Sequence, residues 1–379
     1  LREGGKRGSV PHAAWGAALC KEYGQIEAAF AIDGHHKGLP DIGDLKTDLY
    51  QFSEPDNEIY RETKEMFYNQ NALSDKDLQY SDTNLRGTDK ELFIRILFSA
   101  LTDADWLDTE RHFNNSISEI RRSKILDPDY LLGKIEKEIL GKSKEGYINQ
   151  LRNEVRNYAI GKAKSETGFY AMTLPTGMGK TLASLSWALH HAKHNSLKRI
   201  VIALPYISII DQTAKELKRI FGEEWVLEHH SNFYEDDEAN LSIADESVKD
   251  EAYAKRLATE NWDFPIIVTT SVQFFESLFS NKPARCRKVH NIAQSVVIFD
   301  EVQTLPKELV LPTLSMLRNV QKLMQTSILF CTATQPAFEK SEYFNGIESI
   351  QPLVENPKEV FNATRRVNYL SVNNYEPVS

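Results

Sequence analysis

Beyond residue 165 the chain alternates between short apolar runs and longer segments of helical periodicity. RIVIALP (199–205), FPIIVTT (264–270) and SVVIFDE (295–301) are three of the apolar runs, and amphipathic segments such as IIDQTAKELKRIF (209–221) separate them. Short apolar runs fit strands that are covered on both faces. Strand followed by helix, repeated, predicts a doubly wound parallel sheet, in which ligands bind at the carboxyl ends of the strands.

The preceding part of the chain has a different pattern. AAWGAALCKEYG (13–24) and DKELFIRILFSALTDADWLDTERHF (89–113) place apolar residues at helical spacing, with few β-branched runs. A chain of 379 residues is long enough for two or three domains. We therefore predict an α + α/β protein. The predicted division is an all-helical domain at 1–112, a Lys/Glu-rich helical linker at 113–148, a parallel-sheet domain at 149–365, and the start of a further connection at 366–379.

Composition limits the partners and the compartment. The net charge is −9, so a nucleic acid would need a local basic groove, and the acidic stretch 234–253 is expected to be a solvated insertion. No apolar run approaches the roughly 18 residues that span a membrane, so no membrane partner is expected. The cysteines Cys20, Cys286 and Cys331 lack CxxC spacing. Scattered cysteines are typical of a reducing compartment, so cytoplasm is the expected location.

A glycine-rich turn lies between an apolar run and a helical segment. TLPTGMGKT (173–181), here named the phosphate loop, matches the last positions of the G-x-x-x-x-G-K-[ST] pattern, with Leu174 in place of the first glycine. Glycines let the backbone amides curl around phosphates, and the helix N-terminus adds a favourable dipole. We predict an ATP site in which Lys180 reaches the terminal phosphates and Thr181 ligates Mg²⁺. The residues expected to contact the nucleotide here are Thr176, Gly177, Met178, Gly179, Lys180 and Thr181.

Two acids follow another apolar run in VIFDEVQ (297–303). At the carboxyl edge of a parallel sheet they would lie beside the phosphate loop. Asp300 is expected to hold Mg²⁺ and Glu301 to polarise the attacking water, which makes Asp300, Glu301 and Lys180 the predicted catalytic residues. Gln303 is the remaining predicted residue of the nucleotide site.

The variant phosphate loop Pro-Thr-Gly-x-Gly-Lys-Thr resembles that of superfamily 2 helicases, whose fold is RecA-like. TAT (332–334) resembles the motif that couples hydrolysis to strand movement, and the resemblance implies that Gln303 links the ATP site to it. Segments at two other strand ends lie where this superfamily contacts the nucleic-acid backbone without reading sequence. For the Thr-Thr-Ser segment a helix N-cap is the alternative. The predicted nucleic-acid contacts are Pro205, Tyr206, Thr269, Thr270, Ser271, Thr332 and Thr334.

Histidines mark the helical half. His35 and His36 are adjacent in GHHKGLPD (34–41), while His12 and Asp105 lie on predicted helices. A histidine pair is often only a loop feature. Imidazole and carboxylate together, however, suit Mn, Fe, Co, Ni or Zn better than Ca or Mg. Such a cluster could hold one or two ions and generate a hydroxide for phosphodiester cleavage.

This pattern resembles the HD-type nuclease domain. An HD domain followed by DEVQ.LP resembles the CRISPR-associated helicase-nuclease of type I systems, and VPHAAWGA, GHHKGLPD, SALTDADWLDTE, INQLRNEVR, PTGMGKT, FDEVQTLP and TATQP occur in that family's order. The resemblance implies that His12, His35, His36 and Asp105 ligate a transition metal (Mn, Fe, Co or Ni). Asp105 is preferred to Asp103 because the family's recurring element is ADW, and residues two apart on a helix do not readily face one metal.

The same resemblance implies a function. It is ATP-driven, 3′-to-5′ translocation on single-stranded DNA coupled to metal-dependent DNA cleavage in type I CRISPR antiviral defence, with an RNA-guided surveillance complex as partner. The family's His-Asp pair would lie upstream of His12, and its second RecA-like domain beyond Ser379. We therefore expect an N-terminally incomplete HD domain, weak metal binding, and nucleotide binding with little hydrolysis unless another chain supplies the missing parts.

Two alternatives stay open from the sequence. One is a superfamily 2 RNA helicase with an unrelated helical domain, from which a metal-content measurement would distinguish the nuclease. The other is a non-catalytic interaction module that retains the fold and is recruited by a partner.

Overall fold

Seven parallel strands form one sheet, in agreement with the predicted parallel architecture. The protein is described by a computed structural model that covers residues 11–52, 58–71, 74, 76, 84–113, 124–142, 145–230, 257–333 and 338–365. The strand order is β3-β4-β2-β5-β6-β1-β7. The strands are β1 (Phe169–Thr173), β2 (Arg199–Leu204), β3 (Val226–His229), β4 (Ile266–Thr270), β5 (Ser295–Asp300), β6 (Ser327–Thr332) and β7 (Gln351–Pro352).

Alternation along each strand builds a separate core on each face of the sheet. In β1, Tyr170 and Met172 belong to one buried cluster, whereas Phe169 and Ala171 belong to the other. Successive side chains of a strand point to opposite faces, so a continuous apolar run supplies both cores. The carboxyl ends of β1, β5 and β6 are adjacent, because these strands are neighbours in the order.

Helices cover both faces of the sheet. The first face is covered by α6 (Pro128–Leu140), α7 (Tyr147–Gly161), α8 (Lys180–Asn195), α9 (Ile207–Phe221) and α13 (Pro357–Ala363). The second is covered by α5 (Gly87–Phe113), α10 (Ser271–Phe279) and α12 (Val310–Met324), and the one-turn helix α11 (Pro283–Cys286) follows α10.

Helix α6 falls in the predicted linker, yet it packs on the sheet domain. Leu131 and Ile135 have no exposed surface and join the core of the first face. Asp127 caps the helix by accepting from the Tyr130 amide at 3.0 Å, and the Tyr130 ring stacks on Trp225 with centroids 5.3 Å apart. This part of the chain is therefore a layer of the sheet domain.

Among the described residues, four further helices precede α5, namely α1 (His12–Glu22), α2 (Ile26–Gly34), α3 (Ile42–Phe52) and α4 (Glu58–Asn71). Their shared core contains the small residues Ala17, Ala18 and Ala29. Small side chains let helices approach closely, which brings the start of α1 near the end of α2. None of the described helices is both long and apolar enough to cross a membrane.

Helix α5 contributes to both halves of the chain. Leu92 lies in the core beneath the second face of the sheet, while Phe98 packs with Ala31 of α2 and Cys286 of the sheet domain. The predicted acidic insertion at 234–253, the terminal segment 366–379 and Thr334 lie outside the described residues.

Candidate nucleotide site and histidine cluster

The phosphate loop joins the end of β1 to the start of α8. Gly177 and Gly179 have φ of 85° and 73°. A side chain is disfavoured at such angles, which explains the two glycines. The Leu174 amide donates to the Thr332 carbonyl at 3.1 Å, so the loop is tied to the end of β6. Lys180 is the first residue of α8, whose free N-terminal amides form an anion-binding end.

Lys180 contacts both acids that follow β5. Its Nζ lies 2.7 Å from Glu301 Oε1 and 3.3 Å from Asp300 Oδ1. Burial opposes the charge of Lys180, but the carboxylates of Asp300 and Glu301 outweigh it and raise its pKa. Lys180 therefore remains an ammonium group at neutral pH and is available to phosphate oxygens.

The two carboxylates differ in environment. Burial raises the pKa of Asp300, and Lys180 offsets only part of this effect. Burial also acts on Glu301, but hydrogen bonds from Lys180 and Gln303 outweigh it and lower the pKa of that carboxyl. The lowered pKa keeps Glu301 ionised at neutral pH, whereas the Asp300 carboxyl retains its proton to a higher pH than an exposed aspartate does.

A chain of hydrogen bonds leads from Glu301 to β6. Glu301 has φ of 51°, the left-handed region, and is followed by a short 3₁₀ turn at Val302–Thr304. Gln303 Nε2 donates to Glu301 Oε2 at 2.5 Å, and Gln303 Oε1 accepts from the Thr332 hydroxyl at 2.6 Å. Gln303 thus connects Glu301 with the Thr-Ala-Thr segment.

A cavity of about 400 Å³ lies beside the phosphate loop, between α7 and the start of α8. Arg152 lines it and donates twice to the Gly177 carbonyl, once through Nε at 3.1 Å. Its Nη1 donates to Asn149 Oδ1 at 2.7 Å. Neither residue was predicted as a site residue from the sequence, although both fall in the INQLRNEVR segment at helical i, i+3 spacing.

The residues of the nucleotide site fit ATP and Mg²⁺. Lys180, Thr181 and Asp300 line one small pocket at the carboxyl edge of the sheet, together with Ser184, Thr213 and Cys331. An ammonium, a hydroxyl and a carboxylate are the groups that hold phosphates and a magnesium ion in such loops. Thr176, Gly177 and Gly179 are exposed in the loop itself, whereas the Met178 side chain is buried.

The predicted nucleic-acid contacts divide into exposed and buried positions. Tyr206 is 58% exposed at the start of α9 and follows Pro205 at the end of β2. Thr270 caps α10 by accepting from the Gln273 amide at 2.9 Å, and Ser271 begins that helix. The Thr270 side chain is therefore a helix N-cap, which was the alternative to a nucleic-acid contact.

Two of these predictions need correction. Thr269 and Thr332 have no exposed surface, so neither hydroxyl is available to a nucleic acid in this arrangement. Thr269 lies on a central strand whose two faces are both covered. The Thr332 hydroxyl is already used by Gln303.

The three predicted histidines lie together. His12 begins α1, and His35 and His36 follow α2. One ring nitrogen from each lies within 4.8 Å of the others, and the Nε2 atoms of His12 and His36 are 3.0 Å apart. His35 is buried and its Nδ1 donates to the Ile32 carbonyl at 2.6 Å. That bond fixes the tautomer and leaves Nε2 with a lone pair for a metal.

The two aspartates of α5 point to different surroundings. Asp105 Oδ2 lies 3.9 Å from His36 Nδ1. Asp103 is buried and forms a 2.7 Å ion pair with Arg287 of the sheet domain. The three imidazoles form a donor set that fits a divalent transition ion, and the Asp105 carboxylate lies beside this set, next to Nδ1 of His36.

Comparisons with known proteins agree with the predicted motifs. Residues 153–341 match the DEAD/DEAH box helicase family. The CRISPR-associated nuclease/helicase Cas3 of Haloferax volcanii is 32% identical over 216 residues, which cover 51% of this chain and 22% of the relative. A putative CRISPR-associated nuclease/helicase Cas3 of Methanocaldococcus jannaschii is 29% identical over 200 residues, or 50% of this chain and 26% of the relative.

Solved structures share the fold over most of the chain. The crystal structure of T. fusca Cas3-AMPPNP has a TM-score of 0.61 at 16% identity and covers 86% of this chain and 39% of that one. The structure titled T. fusca Cas3-ATP has a TM-score of 0.58 at 16% identity, with 85% and 38% covered. The chain spans about a quarter of the length of the two curated relatives from Haloferax volcanii and Methanocaldococcus jannaschii. It is related to the CRISPR-associated nuclease/helicases and carries a DEAD/DEAH box helicase domain, as its motifs predicted.

Proposed function

We propose that the sheet domain binds and hydrolyses ATP to drive movement along single-stranded DNA. The observation that carries this proposal is the position of the Lys180 ammonium against Asp300 and Glu301, at the phosphate loop. Lys180 would bind the terminal phosphates, and Thr181 and Asp300 would hold Mg²⁺, which neutralises charge on the phosphate oxygens. Glu301, oriented by Gln303, would accept a proton from the attacking water.

Substitutions of Glu301 and Lys180 should distinguish nucleotide binding from ATP hydrolysis. Glu301→Gln should abolish any residual hydrolysis while Mg²⁺-nucleotide still binds, because it removes the base and keeps the shape. Lys180→Ala should lose both, because it removes the cation that meets the phosphates. Binding of a fluorescent ATP analogue and phosphate release measure the two properties. Equal loss of binding in both variants would contradict the assigned roles.

We further propose that the histidine cluster is part of a nuclease site. His12, His35, His36 and Asp105 would hold a divalent transition ion, whose chemistry is to supply a hydroxide at neutral pH for phosphodiester cleavage. Among the three imidazoles His35 is buried while His12 and His36 are exposed, and its hydrogen bond to Ile32 fixes its tautomer. Single-stranded DNA is the proposed substrate, in CRISPR antiviral defence and with a surveillance complex as partner.

Metal content tests this second proposal. The purified chain, loaded with Mn²⁺ or Ni²⁺ and desalted, should retain metal. His36→Ala should retain none, because ligand number determines affinity. The same samples are assayed for cleavage of single-stranded DNA. Metal retention that is insensitive to His36→Ala would favour a helicase whose helical domain has another role.

A further inference from the structure

A segment of the sheet domain supports the turn that carries the histidine pair. We name residues 280–290 the positioning segment and residues 34–39 the histidine turn. The Leu39 amide donates to the Asn281 carbonyl at 2.8 Å. Gly38 has φ of +108°, and a Cβ added there would lie 3.0 Å from that carbonyl oxygen. The glycine thus serves both the backbone angle and the close approach.

The start of the positioning segment is also bound to α5. The Ser280 carbonyl accepts a 2.6 Å hydrogen bond from Arg95 Nη1 and a 2.9 Å bond from the Cys286 thiol. Further along, the Ser99 hydroxyl accepts from the His290 amide at 3.0 Å. The positioning segment therefore contacts α5 at two places, Arg95 and Ser99, and it also contacts the histidine turn.

Arg287 holds α5 one turn further along. Its side chain is 2% exposed, and it pairs with Asp103 Oδ1 through Nε and with Glu260 Oε2 through Nη1, both at 2.7 Å. The guanidinium also lies 4.9 Å from the centroid of the Trp106 ring. Asp103 and Trp106 flank Asp105 on the helix. Arg287 consequently fixes the rotation of α5 at the point from which Asp105 projects.

Stability alone is a weak explanation for this buried ion pair. Removing two charges from water costs free energy that their attraction often fails to recover, and apolar replacements are frequently as stable. A planar guanidinium with two fixed partners does, however, impose direction. Residues two apart on a helix face different ways, so holding Asp103 towards the sheet domain directs Asp105 away from it.

We propose that the positioning segment orients the metal-ligand cluster, with Arg287 and the contact between Gly38 and Asn281 as its positioning groups. The sheet domain would thereby set the affinity of the cluster for a divalent transition ion. This inference rests on the proposed metal site. It adds that residues of the sheet domain, which are not among the proposed ligands, determine how tightly the cluster binds its ion.

Cobalt is a suitable probe because its visible absorption reports ligand geometry. Co²⁺ is titrated into the whole chain and into two variants. The double variant Asp103→Leu/Arg287→Met removes the pair without leaving a buried charge. Gly38→Ala forces the Asn281 carbonyl to shift. Each should weaken Co²⁺ binding by about tenfold or more and alter the spectrum, as loss of supporting contacts does in other metal sites.

Matched controls separate positioning from general damage. Arg285→Met changes an exposed arginine of the same segment, whose ion pair is with Glu276 of its own domain. Gly24→Ala introduces the same kind of backbone strain at φ +75°, where an added Cβ meets nothing within 4 Å. Both should keep wild-type Co²⁺ affinity. Circular dichroism and nucleotide binding verify the fold, and if the double variant fails to fold, Gly38→Ala decides.

The outcomes distinguish the two proposals. If the wild type binds Co²⁺, His36→Ala loses it, and the folded variants bind as the wild type does, the positioning inference is overturned while the metal site stands. If the wild type shows no Co²⁺ binding, or His36→Ala leaves binding unchanged, the metal site and the inference both fail.

Discussion

The Thr332 hydroxyl at the end of β6 donates a 2.6 Å hydrogen bond to Gln303 Oε1, and the amide of the same glutamine donates to Glu301. Glu301 in turn accepts from Lys180 at 2.7 Å. A continuous polar path therefore connects the phosphate loop with the segment after β6.

A double-mutant cycle measures the link between Gln303 and Thr332. Gln303→Ala, Thr332→Val and their combination are unfolded with urea. We expect a coupling free energy of about 1 kcal/mol, which is the net contribution of one such hydrogen bond. Additive effects of the two substitutions would show that the bond contributes nothing to the folded state.

Arg152 should influence the affinity for nucleotide by holding the phosphate loop; no phosphate contact is predicted for Arg152 itself. Arg152→Ala removes two hydrogen bonds to the Gly177 carbonyl and so frees the phosphate loop. We expect binding of an ATP analogue to weaken by about tenfold, or 1.4 kcal/mol. The control is Lys162→Ala, which removes an exposed cation at the C-cap of α7, the helix that contains Arg152. Equal affinity in both variants would refute the role of Arg152.

Nucleotide binding should depend on pH through Asp300. The carboxylate must be ionised to hold Mg²⁺, and burial raises its pKa. Affinity for Mg²⁺-ATP is therefore expected to fall as the pH decreases towards that raised pKa, and earlier than for an exposed aspartate. Asp300→Asn, titrated in the same buffers, corrects for protonation of ATP itself. Parallel pH curves for the two proteins would contradict the assignment.

The buried His191 should make the fold sensitive to acid. Its Nδ1 donates to the Ala163 carbonyl at 2.9 Å and its Nε2 accepts from the Ser327 hydroxyl at 2.7 Å, so the neutral ring is fully bonded. Burial lowers the pKa of His191 from 6.5 to about 4. The unfolded chain therefore binds the extra proton between those values, and stability falls as the pH drops through this window.

The size of this effect follows from the pKa difference. It amounts to about 3 kcal/mol by pH 4, because one pKa unit is worth about 1.4 kcal/mol. Urea unfolding at pH 7 and pH 4 measures it. His191→Gln should be less stable at pH 7 but show a smaller difference between the two pH values. An unchanged pH slope in that variant would exclude His191 as the cause.

The sequence predicted those features that depend on local pattern. Apolar runs identified the parallel strands, and the glycines and Lys180 of the phosphate loop identified the nucleotide site. It did not predict Arg152, because the contact with Gly177 joins segments 25 residues apart. Thr269 was misassigned because position at a strand end does not show whether a side chain is buried.

The histidine cluster illustrates the same limit. The pair His35 and His36 was visible in the sequence, but its approach to His12 depends on the packing of α1 on α2 through alanines. The ADW element favoured Asp105 and left Asp103 outside the predicted ligand set. Only the folded chain shows it paired with Arg287, 184 residues away.

Helix α5 has a consequence for how the chain melts. Leu92 and Ile96 of α5 pack in the core beneath the sheet. Asp105, on the same continuous helix, lies beside His36 of the histidine turn. Cutting at the predicted boundary of residue 112 would strip apolar cover from the sheet and leave α5 without much of its support. The two halves should therefore lose structure in one cooperative transition on heating, although their chemistries are distinct. Each site then depends on the thermal stability of the other.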